Sequence, residues 1–198
     1  MAPLNEEQLH QIRDDRKVQI KHVALKVFAK YGINGTKMSM IAKEAGVSQG
    51  LFYRYFKSKD ELFMMLIQEA MEESVSSIEK IYSLSVPPKE KIRTLTEVIL
   101  DDGGKYYFML IHQAHTSSGV SEKTKQLLEQ YPLKLYIDLL LPLFREGQRV
   151  GEIVEGDLEE MISSYLSILS GVMVINSQEN SFYQIPKVDL LMRILTKS

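Results

Sequence analysis

Apolar residues recur along this chain at spacings of three and four, which is the period of an amphipathic α-helix. The first such stretch runs from Arg13 to Tyr31, and Gly32 follows it as a helix end. Ser58–Glu61 then has the capping-box pattern, which predicts the start of a long helix ending near Ser83. No segment of the sequence shows the sustained apolar and polar alternation of a β-strand. The chain is therefore predicted to be all-α.

The chain beyond this long helix is predicted to be a helical body. Its pattern predicts helices at about 88–101, 105–116, 121–148, 157–177 and 186–197. Stretches rich in glycine and serine separate several of these helices. Pro132 and Pro142 interrupt the longest candidate, and for Pro142 we predict a kink, with a complete break as the alternative.

The stretch Met38–Lys57 predicts two short helices joined by a tight turn, with Thr36 as a cap for the first. Gly46 follows the first helix, where glycine adopts a left-handed backbone conformation without a Cβ clash. Ser48 can cap the second helix through its hydroxyl. The side chains assigned to the buried side of the second helix are Phe52 and either Tyr55 or Phe56. Those left facing outward are Gln49, Gly50, Tyr53 and Arg54. These spacings agree with a helix-turn-helix, whose second helix lies in a DNA groove.

The segment from about Arg16 to about Ala70 resembles the DNA-binding domain of the TetR family of bacterial transcriptional repressors. The resemblance is carried by IAKEAGVSQGLFYRYFKSKDEL and by VALKVFAKYGINGT before it. It implies a three-helix head, a connector helix, and a helical body that pairs two subunits and binds a small effector. Two positions depart from the family pattern, which often has Thr in place of Lys37 and Lys or Arg in place of Gln49. The operator sequence therefore cannot be carried over from relatives.

On this basis we predict two domains. Residues 1–57 form the helix-turn-helix DNA-binding domain, and residues 58–198 form the effector-binding and dimerisation domain. The charge distribution agrees with this division, because residues 1–60 carry eleven Lys and Arg against six Asp and Glu, a net charge of +5. The remaining residues carry thirteen against twenty, a net charge of −7. A basic head on an acidic body is expected when only the head meets phosphates, although chance scatter of surface charge is the alternative.

The DNA-contact candidates are drawn from the helix-turn-helix and from the first turn of the connector helix. Gln49 lies near the N-terminus of the recognition helix, where its amide can pair with adenine N6 and N7. Lys59 lies in the first turn of the connector, where free N–H groups and the helix dipole favour an anion. Leu51 could touch a thymine methyl group, and the resemblance assigns Tyr53 to a phosphate. The full set is Thr36, Lys37, Ser39, Ser48, Gln49, Gly50, Leu51, Tyr53, Arg54 and Lys59. For any one of them, an ordinary solvated side chain is the alternative.

Adaptable apolar and polar-tipped side chains in the body predict a pocket for a small organic effector. The candidates are Met65, Tyr106, Met109, His112, Gln113, Tyr136 and Tyr165. A plain helical core is the more frequent role for each of these residues taken alone.

Two apolar stripes near the end of the chain are candidates for pairing subunits. They comprise Ile162, Leu166, Leu169, Met173, Leu191 and Leu195. The core of one subunit is the more frequent arrangement for a single stripe, but the resemblance implies pairing through the last two long helices. A twofold dimer also reads two half-sites and so multiplies selectivity. Serine and glycine residues elsewhere on the predicted helix that contains Ile162 and Met173 allow a second helix to approach it closely.

The sequence also argues against several other functions. It contains no cysteine, which excludes disulfides and thiolate metal sites. His112 and His115 share one helical face, but no further ligand lies nearby in sequence, so we expect no metal and no cofactor. A nucleophile–base pair and a phosphate-cradling glycine loop are missing from the body, so an enzyme is not expected. The polar N-terminus and the lack of a bilayer-length apolar run predict a cytoplasmic protein without membrane contact.

The sequence therefore predicts a homodimeric transcriptional repressor that binds a palindromic operator in double-stranded DNA. A small organic effector would release it by tilting the connector helix, so that the two recognition helices no longer match their half-sites. The alternative is an activator or an effector-independent DNA-binding protein with the same head.

Overall fold

The computed structural model describes residues 5–177 and 184–196, and the regular structure within these ranges is entirely helical. The helices are α1 Glu6–Gly35, α2 Met38–Glu44, α3 Gln49–Tyr55, α4 Lys59–Tyr82, α5 Pro88–Leu100, α6 Asp102–Thr116, α7 Glu122–Glu129, α8 Leu133–Arg149, α9 Leu158–Ser177 and α10 Val188–Met192. The predicted all-α fold is confirmed, and so are the three-helix head and the long connector helix, which is α4.

Helix α1 begins earlier than the sequence pattern predicts. Asn5 caps it, since its side chain accepts a hydrogen bond from the Gln8 backbone while the Gln8 side chain accepts one from the Asn5 backbone. The first buried side chain described in α1 is Ile20, so the turns before it are stabilised within the helix. Gly32 has φ +64, which interrupts the helical geometry at the predicted helix end.

The chain folds into two compact units. The head unit contains Met1–Glu69 and Leu110–Lys125, and the body unit contains Ala70–Met109 and Gln126–Ser198. Helices α4 and α6 therefore each begin in one unit and continue into the other. The predicted division at residues 57 and 58 concerns function and stays a prediction.

The head unit has its own aromatic and aliphatic core. Phe28 of α1 meets Phe63 of α4 edge to face, with ring centroids 5.0 Å apart. The same two helices are also joined by an ion pair, in which the Lys21 ammonium of α1 lies 2.6 Å from a Glu69 carboxylate oxygen of α4. Ile41 on α2 is fully buried as well. Helix α1 thus supports the helix-turn-helix from behind.

The body unit is held together by α5, α8, α9 and α10, whose apolar faces form one cluster. Helix α8 continues through Pro142, so the alternative of a complete break there is wrong. The longest predicted helix is instead divided at Pro132, which is the N-cap of α8. Tyr82, at the end of α4, donates its hydroxyl hydrogen to the Leu139 carbonyl oxygen of α8. The Leu139 carbonyl oxygen lies one turn before Pro142, which has no N–H to donate within the helix.

Candidate nucleic-acid interface

The turn between α2 and α3 is built as the sequence predicts. Gly46 has φ +63, in the left-handed region that favours glycine. Its neighbour Val47 donates its N–H to the Ala42 carbonyl oxygen at 2.9 Å, which closes the end of α2. The Ser48 hydroxyl oxygen accepts the Leu51 N–H at 3.1 Å and so caps α3. Hydrogen bonds thereby close both the end of α2 and the start of α3 at this turn.

One face of α3 is buried and the other is exposed. Phe52 and Phe56 are fully buried with ring centroids 5.7 Å apart, whereas Tyr55 is half-buried. Of the two residues considered for the buried side of α3 beside Phe52, it is therefore Phe56 that is buried there, more fully than Tyr55. Tyr53 is 52% exposed. The other exposed residues at the start of α3 and along it are Ser48, Gln49, Gly50 and Arg54, and Leu51 is half-buried. This face therefore carries an amide, a phenol and a guanidinium, which suit base edges and phosphates.

The N-terminus of α2 differs from the prediction at Thr36. Thr36 is 1% exposed, and its hydroxyl donates to the Gly32 carbonyl oxygen at 2.7 Å. The predicted cap is wrong, because the N-cap of α2 is Lys37, which makes no side-chain capping bond. The Thr36 hydroxyl is committed to the end of α1, so this side chain is not presented to a phosphate. Lys37 and Ser39 are exposed and available for that role.

Lys59 ties the start of α4 to the end of α1. Its ammonium group donates to the Ile33 carbonyl oxygen at 2.7 Å. The capping box beside it forms only in part, because the Ser58 hydroxyl accepts the Glu61 N–H while the Glu61 carboxylate accepts the Lys57 N–H instead. An ammonium group has three N–H donors, so Lys59 can keep the bond to Ile33 and still reach a phosphate. Its predicted phosphate contact stays a prediction.

The predicted effector-pocket residues lie in both units. Those in the head unit are Met65, His112 and Gln113, and those in the body unit are Tyr106, Met109, Tyr136 and Tyr165. The Tyr136 hydroxyl is 2.8 Å from the Ser74 hydroxyl oxygen, and burial raises the pKa of this phenol. The Tyr165 hydroxyl is 2.9 Å from the Thr96 hydroxyl oxygen, inside the body core, where burial raises its pKa strongly. As effector contacts, all seven residues stay predictions.

A surface cleft in the body unit has a volume of about 260 Å³. It is lined by Tyr82, Val86, Pro88, Lys91, Pro142, Leu143 and Glu146. None of the predicted pocket residues lines this cleft.

The predicted dimer residues lie mostly inside their own chain. Ile162, Leu169, Met173, Leu191 and Leu195 are each at most 8% exposed, and Leu166 is half-buried. Pairing through these side chains stays a prediction. The surface of α9 is formed by other residues, including Ser164, Ser167 and Gly171.

Helix α9 is also the one helix among the described residues with the length and apolar character of a membrane span. Its stretch Leu158–Ile175 has a mean hydropathy of 1.4. Of the residues in that stretch, 28% are buried within the chain, and the exposed ones include Ser164, Ser167 and Gly171. One such helix is weak support for a membrane span, since helices of water-soluble cores and interfaces have the same composition.

Helical periodicity does not predict the contacts between the end of α1 and the end of α6. The Gln113 side chain lies against Gly32, where an added Cβ would be 2.9 Å from its Oε1 atom. The Asn34 amide donates to the Ser117 hydroxyl oxygen at 3.3 Å, and Gly119 packs directly on Asn34. These contacts place part of α6 and the turn after it beside the residues that lead into α2.

We expect no metal site because His112 and His115 would need further ligands. Among the described residues, no group of three or more His, Asp or Glu side chains is arranged to hold a metal ion. His112 is half-buried and His115 is exposed on α6.

Comparison with known proteins finds a matching family model, a similar curated protein and two solved structures with the same fold. A model of the family described as "Bacterial regulatory proteins, tetR family" matches residues 20–65, which contain the second half of α1, all of α2 and α3, and the first turns of α4. The fatty acid metabolism regulator protein of Bacillus subtilis (strain 168) is 29% identical over 140 residues, which cover 70% of this chain and 71% of that protein. Its similarity therefore extends beyond the head.

Two solved structures show the same fold over nearly the whole chain. The MbdR regulator from Azoarcus sp. CIB has a TM-score of 0.73 at 21% identity, covering 89% of this chain and 95% of that one. The fatty acid degradation regulator FadR from Bacillus halodurans has a TM-score of 0.66 at 24% identity, covering 90% and 92%.

Proposed function

The chain belongs to the TetR family of bacterial DNA-binding transcriptional regulators, and we propose that it is a repressor that binds a palindromic operator as a homodimer. The observation that supports this most directly is the exposed face of α3, mounted on a buried Phe52 and Phe56. Regulators of this family are not enzymes, and the protein acts where bacterial DNA is, in the cytoplasm.

In the proposed complex, α3 lies in the major groove and its N-terminus approaches the base edges. Gln49 pairs with an adenine, and its exposed position at the first turn allows this. Tyr53 and Arg54 divide between phosphate and base contacts, while Lys37, Ser39 and Lys59 hold the neighbouring phosphates. The phosphate contacts set affinity and its salt dependence, and the base contacts set sequence selectivity.

The proposed dimer uses the exposed stripe of α9 together with the exposed side of the chain end. Ser164, Ser167, Gly171 and Ile175 are exposed at spacings of three and four, so they lie on one side of the helix. The small residues among them let a second helix approach closely. Leu190 and Ile194 are 56% and 51% exposed and four residues apart, and they supply apolar area. The buried stripe predicted from the sequence would support this face from within.

The proposed effector is a molecule with an acyl chain, such as a fatty acid or its coenzyme A thioester. The relative that is 29% identical over most of this chain is named as a regulator of fatty acid metabolism. Methionine and tyrosine side chains in the predicted pocket set suit a flexible apolar chain with a polar end. The effector shifts the protein between two states only by its different affinity for them.

Two helices provide routes from the effector to the head. Helix α4 continues from the head unit into the body unit, and its tilt would move the recognition helices off their half-sites. Helix α6 also continues between the units, and its Gln113 lies against Gly32 just before α2. A change in either helix would therefore reach the residues that position the helix-turn-helix.

The DNA-binding assignment is tested by the double variant Tyr53→Ala with Lys59→Ala. We expect operator binding to be lost in a fluorescence-anisotropy titration, because two phosphate contacts per subunit are removed. The dimer should persist in sedimentation analysis, since neither residue lies in the body unit. Loss of the dimer together with DNA binding would refute their assignment as contact residues.

The effector assignment is tested by releasing the operator-bound protein with a series of acyl compounds. Fatty acids of increasing length, each as the free acid and as its coenzyme A thioester, should lower the anisotropy and raise the melting temperature. A quaternary ammonium amphiphile of matched chain length serves as the control. Release by the control alone would reject the acyl class. A flat response to all compounds would favour the effector-independent alternative.

A further inference from the structure

One hydrogen bond connects α1 to the turn of the helix-turn-helix, and a second hydrogen bond within α1 orients the residue that donates it. The Gln19 side-chain amide donates to the Ala45 carbonyl oxygen at 3.2 Å. The Arg16 guanidinium in turn donates to the Gln19 Oε1 atom at 3.0 Å. Ala45 is the C-cap of α2, so its carbonyl belongs to the free end of that helix, next to Gly46. The three groups form a relay from a cation on α1 to the backbone of the turn.

The relay acts beside Gly46, a glycine in the turn between α2 and α3. Gly46 has φ +63, and a glycine restricts its own backbone less than any other residue does. The inner side of the turn is fixed by the buried Ala45 side chain and by the bond from Val47 to Ala42. The relay restrains the outer side. The Arg16 bond occupies the amide oxygen of Gln19, so the amide group is oriented with its NH₂ toward Ala45, and the cation polarises it.

From this geometry we propose that Arg16 and Gln19 are positioning residues for the recognition helix α3, and that they contribute to sequence selectivity without touching DNA. The proposal rests on DNA binding by the head. Bidentate base contacts are directional and tolerate little displacement, whereas phosphate contacts depend mainly on charge and tolerate more. A looser turn therefore weakens binding to the operator more than binding to unrelated DNA.

Gln19→Ala tests this proposal, with Gln11→Ala as a matched control. Gln11 is the same residue type on the exposed part of the same helix, and it donates to Asp15 at 2.8 Å. Gln11→Ala loses its one described side-chain hydrogen bond and Gln19→Ala loses two, but only Gln19→Ala loses the bond to the turn. We expect Gln19→Ala to bind the operator about three- to tenfold more weakly than the wild type. Binding to random duplex DNA, its salt dependence and the Gln11→Ala variant should match the wild type.

Two further variants separate positioning from a general loss of stability. Gln19→Glu keeps an acceptor for Arg16 but places an oxygen against the Ala45 carbonyl, so it should lose at least as much operator affinity as Gln19→Ala. Arg16→Lys retains a cationic donor for Gln19, so it should retain most of the selectivity. Far-UV circular dichroism and melting temperature check that each variant is folded.

Three results would overturn the proposal. Gln19→Ala could bind like Gln11→Ala, which would make the relay irrelevant to recognition. Gln19→Ala or Arg16→Ala could weaken operator and random DNA equally, with a smaller salt dependence, which would indicate a direct phosphate contact. Gln19→Glu could bind the operator as well as the wild type does. Failure of the wild type to select any DNA sequence would instead contradict the proposed function and is seen before any variant is made.

Discussion

Tyr165, one of the predicted effector-pocket residues, lies in the core of the body unit. Its ring packs near Phe144 at 5.8 Å between centroids, and its hydroxyl meets Thr96. The Thr96 hydroxyl also lies 2.7 Å from the Ile92 carbonyl oxygen, to which it donates. Since Thr96 is fully buried and Tyr165 is 5% exposed, the two hydroxyl groups depend on each other and on Ile92.

The two members of this pair should respond unequally to substitution. Tyr165→Phe leaves Thr96 bonded to Ile92, so we expect a loss of about 0.5–1.5 kcal/mol in the free energy of unfolding. Thr96→Val removes the only partner described for the Tyr165 hydroxyl, and leaving it buried should cost about 1–3 kcal/mol. Urea denaturation measures both values. A larger loss for Tyr165→Phe would contradict this account of the pair.

Local spacing predicted the residues of the DNA-binding turn well, because their conformations depend on near neighbours. Gly46, Ser48 and Phe52 have the roles expected from the sequence. Local spacing did not predict hydrogen bonds between a side chain and a backbone atom far away in the sequence. Lys59 and Gln19 each bond to a carbonyl 26 positions away, and helical periodicity carries no information about such partners. Thr36 was misassigned for a different reason, since its hydroxyl turns back to α1 rather than forward to α2.

Helix α9 has a buried side and an exposed side that differ in composition. The buried side contributes Ile162, Leu169 and Met173 to the body core. The exposed side carries Ser164, Ser167 and Gly171, which are small. The sequence identified the helix and its small residues, and the family resemblance rather than periodicity assigned the larger apolar stripe to the dimer. Within one chain, Ile162, Leu169 and Met173 of that stripe are already buried in the body core.

Substitutions on the two sides of α9 should therefore separate association from folding. Ser167→Arg places a long charged side chain on the exposed stripe, so we expect dissociation to monomers with little change in monomer stability. Leu169→Ala opens a cavity in the body core and should cost about 2–5 kcal/mol in the free energy of unfolding.

Analytical ultracentrifugation and urea denaturation distinguish these effects. A Ser167→Arg protein that remains dimeric at micromolar concentration would rule out this face as the interface. Glu122→Arg, at an exposed position of α7, serves as the control.

The molecule as a whole combines features that the sequence predicted with a division that it did not. The all-α fold, the head and the connector follow from periodicity, capping patterns and the family resemblance. The assignment of Leu110–Lys125 to the head unit does not, because these residues follow the head by more than forty positions. Val120 and Thr124 of this segment are buried, so its role is structural as well as connective.

The segment also explains why two helices, rather than one, belong to the proposed response. The sequence assigned the whole response to the tilt of α4. The structure adds α6, whose last turns meet the end of α1 at Gly32 and Asn34. An effector that displaced α6 would act on the head without first moving α4.

We propose that this protein binds a palindromic DNA sequence as a dimer. Selection of bound sites from random duplex DNA by the purified protein, at two salt concentrations, shows whether it does. We expect an enriched palindrome with half-sites about 34–36 Å apart, or a multiple of a helical turn, and an affinity that falls steeply with salt. Equal binding to all sequences by effector-free protein, or enrichment of a single half-site without symmetry, would contradict the claim.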